Sequence, residues 1–491
     1  MTRLQDCSRR LFPIALCLSL LLSLSSACWS VELPQYLGLT ILHTNDIHGH
    51  LFPLSSYDVH YDASDVTHLN DVGGAARQAT LIRRIRSTSP YPVLVMSAGD
   101  VFTRGPIADL DGVPDFDVMN TIPYDVMTLG NNEFEGGDGM PGQKILFDRI
   151  KQAHFPVLSA NVFFASDGKT IVAPYKIFDI FGVRIGVFGL TAPRVAGYST
   201  AKGLEVRDPI AVAKQIVSEL REKADFVIAL THIGYDYGPY PCDLTLAAEV
   251  PGIDLIIGGD SHTWLRQPTL VPSSTSTQPG LYISGTIVSQ AGEWGVRVGQ
   301  MDLRLRRASG HRYRVMSYSE KMIDVDASNA PAKDVEQVID RYTKSMHKEL
   351  ARVSKGISKH EMGNLLAQCL REAAGTQVGI AFDDCIEDGL EAGIVDSLAL
   401  RRAIVNQKAT ATKATVTGKQ LQDFVSQQRP SLAGAKLSDG VLYIGDQKVV
   451  DTQSYTVAWY YHSSPFGAAK LDRTDLTVGD AVVKYLRSHA Q

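Results

Sequence analysis

Between residues 37 and 305, short apolar runs alternate with polar, glycine-containing turns. The runs are Leu39–Leu42, Val93–Met96, Val126–Leu129, Phe155–Leu158, Arg184–Phe188, Phe226–Leu230 and Leu255–Ile257. Their brevity, β-branched content and Gly boundaries predict buried strands. Between several of them apolar residues recur every three or four positions, as in Ala75–Ile85 and Ile210–Leu220, which predicts helices. Strands alternating with helices predict an α/β domain with both sheet faces covered. The texture changes after Pro331. Ala332–Val353 is charged, lacks Gly and Pro, and predicts an exposed connecting helix. A second α/β segment follows, with an apolar helix over Asn364–Ala374 and a Thr/Val-rich stretch over Thr410–Thr417. The expected division is therefore an N-terminal segment 1–28, a domain over 37–325, a connector over 330–355 and a smaller domain over 356–491.

The N-terminal segment has its own logic. Arg3, Arg9 and Arg10 precede the apolar run Leu11–Leu24 and the small residues Ser25–Ala27, the layout of an export signal. Ser8-Arg-Arg-Leu-Phe12 resembles a twin-arginine export motif. The apolar run is shorter than the roughly 20 residues a membrane span needs. No charge follows until Glu32, however, so an uncleaved N-terminal anchor is the alternative. A periplasmic or extracellular location is expected, with no other membrane contact. At 491 residues the chain exceeds one ordinary core. Its net charge of −5 points away from polyanion binding by bulk electrostatics, so no nucleic-acid partner is expected. Beyond residue 28 only Cys242, Cys369 and Cys385 remain, without a CxxC. That argues against a zinc finger or redox motif and leaves a Cys369–Cys385 pairing open.

Chemistry concentrates where strands end. The first run leads into His43-Thr-Asn-Asp46-Ile-His48-Gly, an Asp-x-His pair that extended backbone would place on one face. Val93–Met96 leads to Gly99-Asp100, and Val126–Leu129 to Gly130-Asn131-Asn132-Glu133-Phe134-Glu135. Phe226–Leu230 leads to Thr231-His232, and Leu255–Ile257 to Gly258-Gly-Asp260-Ser-His262. Any one of these fits a structural histidine or a turn. Successive delivery of carboxylates, imidazoles and an amide to the edge where α/β proteins place their sites points to divalent metal binding. His50, His60 and His68 are expected as solvated residues of a long polar loop. Gly136–Gly139 is turn-rich and no Lys-Ser/Thr follows it as in a phosphate cradle. Pro272–Pro279 is expected as a surface loop.

Taken together, HTNDIHGH, VGGAARQATLI, SAGD, LGNNEF, LTHIGYD and IGGDSHT resemble the metallophosphoesterase domain of secreted 5′-nucleotidases and UDP-sugar hydrolases. GNLL, VTGKQL and YTVA, between about residues 360 and 470, resemble that family's C-terminal nucleotide-recognition domain. The resemblance implies a four-layer αββα sandwich with a smaller α/β domain capping the site. It assigns Asp46, His48 and His262 to one divalent metal and Asn131, His232 and Asp260 to a second, with Asp100 bridging. It implies hydrolysis of a small, nucleotide-like phosphate ester by a metal-activated water. Catalytic roles then fall on Asn132, beside the leaving group, and Glu135, which orients it.

The chain departs from the family pattern in three places. The family's usual Gly-Asn-His-Glu-Phe-Asp reads here with Asn132 and Glu135, so an amide stands where an imidazole would protonate the leaving group. Asp260 stands where the family usually has His, and a third hard carboxylate favours Mn²⁺ or Mg²⁺, with Zn²⁺ also accepted. The family's substrate-contacting arginine is Glu387, which would repel a phosphate. Tyr460 or Tyr461 would be left to stack on a base, although buried packing is the expected role for either. These departures predict altered specificity or reduced turnover. The alternative they favour is a catalytically impaired, metal-binding extracellular binding or scaffold protein. An enzyme for sulfur-containing or cyclic phosphate substrates is a third reading.

Overall fold

The structure is a computed structural model that describes residues 33–62, 64–135, 142–272, 281–309, 312–460, 465–466 and 471–489. Residues 1–28, expected as an export signal, and Gly136–Gly139, Ser273–Pro279 and Tyr461 lie outside them. Every apolar run read as a strand forms one. Tyr36–Thr44, Val93–Ser97, Val126–Thr128 and Val157–Leu158 lie parallel in a six-stranded sheet, which Arg297–Arg307 and Tyr313–Asp324 extend antiparallel. Val183–Thr191, Phe226–His232, Leu255–Ile257 and Gly285–Ser289 form the parallel centre of a second six-stranded sheet, edged by Tyr175–Ile180 and Thr269–Pro272.

Side-chain alternation explains how the sheets stack. Leu37, Leu39 and Ile41 meet Ile185, Val187, Ile228 and Leu230 in a core between the sheets. Leu42, on the opposite face, packs with Ala79 and Ile82 of the helix Ala75–Thr88. The outer face of the second sheet packs on the helix Pro209–Lys223, begun by Pro209 and by Asp208, whose carboxylate accepts the Ala211 N–H at 2.7 Å. The result is helix, sheet, sheet, helix, the expected αββα sandwich. Each fully buried Leu or Ile contributes about 1.5–3 kcal/mol relative to exposure.

Two expectations need correction. The helix after Pro331 runs only over Lys333–Thr343 and docks Val335, Val338 and Ile339 on the first sheet's helical layer. Glu349–Val353 is instead a strand paired with Gly393–Asp396. The charged surface of the segment concealed an apolar stripe. The region expected as a polar loop is a hairpin, Pro53–His60 with Val66–Gly73, anchored by buried Leu54, Val59 and Val72 against Trp264. The remaining chain forms a five-stranded mixed sheet over which the helix Lys359–Ala374 packs. Ser358 and Glu361 form a capping box at its start, and Gly375 (φ 63°) ends it. Cys242, Cys369 and Cys385 are buried free thiols.

Candidate metal centre

The parallel strands of both sheets end at one edge, and five predicted side chains meet there. His232 Nε2 lies 3.1 Å from Asp100 Oδ2 and 3.7 Å from Asp46 Oδ1. His48 Nε2 lies 3.8 Å from Asp46 Oδ1, 3.7 Å from Asp100 Oδ2 and 3.1 Å from His262 Nε2. His262 Nε2 is 3.4 Å from Asp46 Oδ1. Metal–ligand bonds of about 2.0–2.2 Å place neighbouring donor atoms about 3.0–3.4 Å apart. Two overlapping groups, Asp46/His48/His262 and Asp46/Asp100/His232, come close enough to this spacing that each could hold a metal ion.

The backbone reaches this arrangement differently from the extended Asp-x-His expected. Asp46, His48, Asp100, Asp260 and His262 all have positive φ (53°, 50°, 54°, 82° and 52°). Such conformations persist where surrounding contacts over-determine them. Here the Asp46 and His48 N–H groups donate to the Gly99 and Asp100 carbonyls, both at 3.0 Å, and the Gly49 N–H donates to Val101 at 2.8 Å. The buried Glu133 carboxylate collects the N–H groups of Asp100, Val101 and Gly130 at 3.0, 2.7 and 2.7 Å. Gly259 leaves room that a side chain would not, because a Cβ there would sit 2.8 Å from His232 Nδ1.

A cation fits the donor set. His232 Nδ1–H donates to the Ala98 carbonyl at 2.6 Å, which turns the buried Nε2 inward to the carboxylates of Asp100, Asp260 and Asp46. Burial pushes the His48 pKa down to about 4 in spite of Asp100 and Asp46, so its imidazole is neutral and ligand-competent. Burial also opposes charge on His262, but Asp46 and Glu293 outweigh it and raise the pKa to about 10. His232 likewise overcomes its burial, through Asp100 and Asp46, and sits above its ordinary value. A metal entering the cluster therefore displaces protons from these two rings.

The other predicted site residues take different places. Asn131 lies outside both groups, with its amide oxygen accepting from Arg194 Nη2 at 2.6 Å and its Nδ2 donating to Tyr198 at 3.2 Å. Asp260 Oδ1 is 3.6 Å from His232 Nε2, yet both carboxylate oxygens are held by Arg194. Asn132 turns onto Asp100, its backbone N–H donating to Oδ1 at 2.8 Å and its Nδ2 to Oδ2. Glu135 lies at the rim beside Tyr198, its pKa raised by burial and by the Asp100 charge. Glu387 is buried, with Oε2 3.4 Å from His50 Nε2. His50 is buried too, stacked on Trp294 at 4.1 Å, and is not the solvated residue expected. Neighbouring contacts tie the C-terminal segment down, Arg401 and Lys408 each reaching Asp109 at 2.7 Å. Tyr460 is packed internally, its hydroxyl donating to the Cys385 and Val405 carbonyls.

Arg194, Tyr237 and Glu293 were missed. Tyr237 donates to Asp260 Oδ2 at 3.1 Å, and Glu293 binds His262 Nδ1. The available signal was topological: Arg194 follows the strand Val183–Thr191, which pairs in parallel with Phe226–His232 and so ends at the same edge.

These observations define a site whose side chains could hold divalent cations. Residues 39–264 match the calcineurin-like phosphoesterase family model. The chain is 37% identical over 290 residues to the 5′-nucleotidase of Vibrio cholerae serotype O1, covering 55% of this chain and 49% of that protein. It is 36% identical over 307 residues to protein UshA of Yersinia enterocolitica, covering 57% and 51%. The chain thus spans about half the length of these curated relatives. The 5′-nucleotidase precursor of Thermus thermophilus shares the fold, with TM-score 0.66 and 23% identity over 92% of this chain and 96% of that one. Among the described residues no helix is long and apolar enough to cross a membrane.

Proposed function

We propose that this chain is an exported phosphoesterase of the 5′-nucleotidase type that uses two divalent cations to hydrolyse a small, nucleotide-like phosphate ester. The observation that carries this reading is the inward-facing Nε2 of His232 set among Asp46, Asp100 and Asp260. Asp46, His48 and His262 would hold one ion, and Asn131, His232 and Asp260 the other, with Asp100 between them. Bound cations of this kind lower the pKa of water and offset charge on phosphoryl oxygens. The chain's own part is positional. Glu133 fixes the Asp100 loop, Ala98 fixes the His232 tautomer, and Asn132 orients Asp100 through two hydrogen bonds.

The Asn132 amide is committed to Asp100 and cannot act as a general acid, so esters with good leaving groups are the favoured substrates. The same observation supports the second reading, a metal-binding extracellular protein with little turnover. Purified chain with Mn²⁺ should hydrolyse an activated aryl phosphate faster than AMP or UDP-glucose, and His232→Ala should abolish this. Stoichiometric metal without hydrolysis of any of the three would select the second reading. A chain that takes up no metal would exclude both.

A further inference from the structure

Arg194 stands in the short turn Pro193–Gly197, directly after a strand of the metal-bearing edge. Its Nη1 donates to Asp260 Oδ2 at 2.6 Å, and its Nη2 donates to Asn131 Oδ1 at 2.6 Å and to Asp260 Oδ1. One planar guanidinium thus grips the carboxylate and amide oxygens that the second ion would need. The Asp260 side chain is fully buried, whereas that of Arg194 is 44% exposed, so the arginine closes this corner from the solvent side. A cation coordinated by the same oxygens at about 2.0–2.2 Å would occupy space within contact of Nη2 and meet a like charge there. At the other corner the Arg104 charge acts on His48, but among the described residues no arginine is hydrogen-bonded to Asp46, His48 or His262. Asp46, His48 and His262 converge there, with Glu293 behind His262.

The identity of residue 260 matters to this contact. An aspartate offers two anionic oxygens to the fork of a guanidinium, in the bidentate geometry arginine prefers. A neutral imidazole at that position would offer one nitrogen and no net charge. Asp260 and Arg194 are therefore a matched pair.

We propose that Arg194 is a built-in competitor for the second cation position, so that the ion at Asp46, His48 and His262 loads first and the second gains its Asp260 and Asn131 ligands, and with them its full affinity, only when Arg194 releases them. The inference rests on the proposed metal-binding function. When binding requires a minor state, the apparent dissociation constant rises by the inverse of that state's population. An arginine released about 10% of the time or less weakens the second site at least about tenfold.

The test is Mn²⁺ binding by calorimetry to chelator-stripped chain, with electron paramagnetic resonance reporting spin-coupled ion pairs. Wild type should bind one ion tightly and a second at least about tenfold more weakly. Arg194→Gln should tighten the second step by about tenfold or more, leave the first unchanged, and show the coupled-pair signal at lower Mn²⁺. Arg194→Lys, which keeps the charge but loses the fork, should fall between. The unchanged first step reports correct folding of each variant. Two equally tight ions in wild type, an unaltered second step in Arg194→Gln, or loss of that step would overturn the inference while leaving the proposed function standing. Absence of any bound ion in wild type would overturn both.

Discussion

Asp115 offers a quantitative test of the packing beneath the metal loops. It lies in the short helix Val113–Met119, 1% exposed, with no hydrogen-bond partner for Oδ1 among the described residues. That oxygen lies 3.4 Å from where a Cβ on Gly49 would sit, beneath the loop that presents His48. Burial raises its pKa from 3.8 to about 7, against the pull of its own backbone N–H, His50 and Arg149. Because the folded pKa is the higher one, the unfolded chain sheds this proton first. The neutral carboxyl's advantage is full below pH 4 and is lost as pH rises to about 7. Three pKa units at 1.36 kcal/mol each set an upper limit of about 4 kcal/mol. Structural relaxation reduces the expected penalty at pH 8 to about 2–4 kcal/mol. Asp115→Asn keeps the shape and removes the ionisation. At about 2 °C per kcal/mol for a domain of this size, its Tm should exceed that of wild type by about 4–8 °C at pH 8. At pH 5, already about one unit above 3.8, roughly two fifths of that difference should be present. Thermal unfolding followed by circular dichroism, with chelator present so that metal loading does not vary with pH, measures the difference. A variant-minus-wild-type difference that is the same at both pH values would refute the reasoning.

Two further predictions concern the site. Asn132→His should raise AMP hydrolysis by about tenfold or more in steady-state assays if the missing general acid limits turnover; no increase would place the bottleneck in recognition. Glu293→Gln should lower the limiting Mn²⁺ affinity at high pH by about 10–100-fold, because a carboxylate behind a ligating imidazole raises its basicity. The same variant should move the pH midpoint of binding downward, since Glu293 helps hold the His262 proton up to about pH 10. Calorimetric titrations across pH that superimpose with wild type would contradict both effects.

The strands were legible because burial on both faces leaves near-continuous apolar runs, and their ends were legible because polar residues break those runs. Asp46, His48, Asp100, His232 and His262 could thus be nominated from position alone. Their convergence could not be read that way. It depends on left-handed backbone at Asp46, His48, Asp100 and His262, which sequence spacing does not encode. The hairpin Pro53–Gly73 escaped notice because so little of it is buried, only Leu54 and Val59 in one strand and Val72 and Gly73 in the other. Glu387 illustrates a different limit. Its charge suggested repulsion of a phosphate, but in the structure it faces His50, and the segment containing it is held by Asp388 against Ser55 and by Arg402 against the Pro53 carbonyl.

Arg194 and Asp260 make the same point more sharply. Read alone, Asp260 is one more hard ligand that strengthens the case for a second ion. Read with the guanidinium that holds it, the same carboxylate is already neutralised, and adding an ion means separating a partly buried charge pair. The substitution at 260 therefore changes the order in which the two positions fill before it changes which metal fills them. That consequence belongs to a pair of residues contributed by different strand ends, and it emerges only once the sheet has brought those ends together.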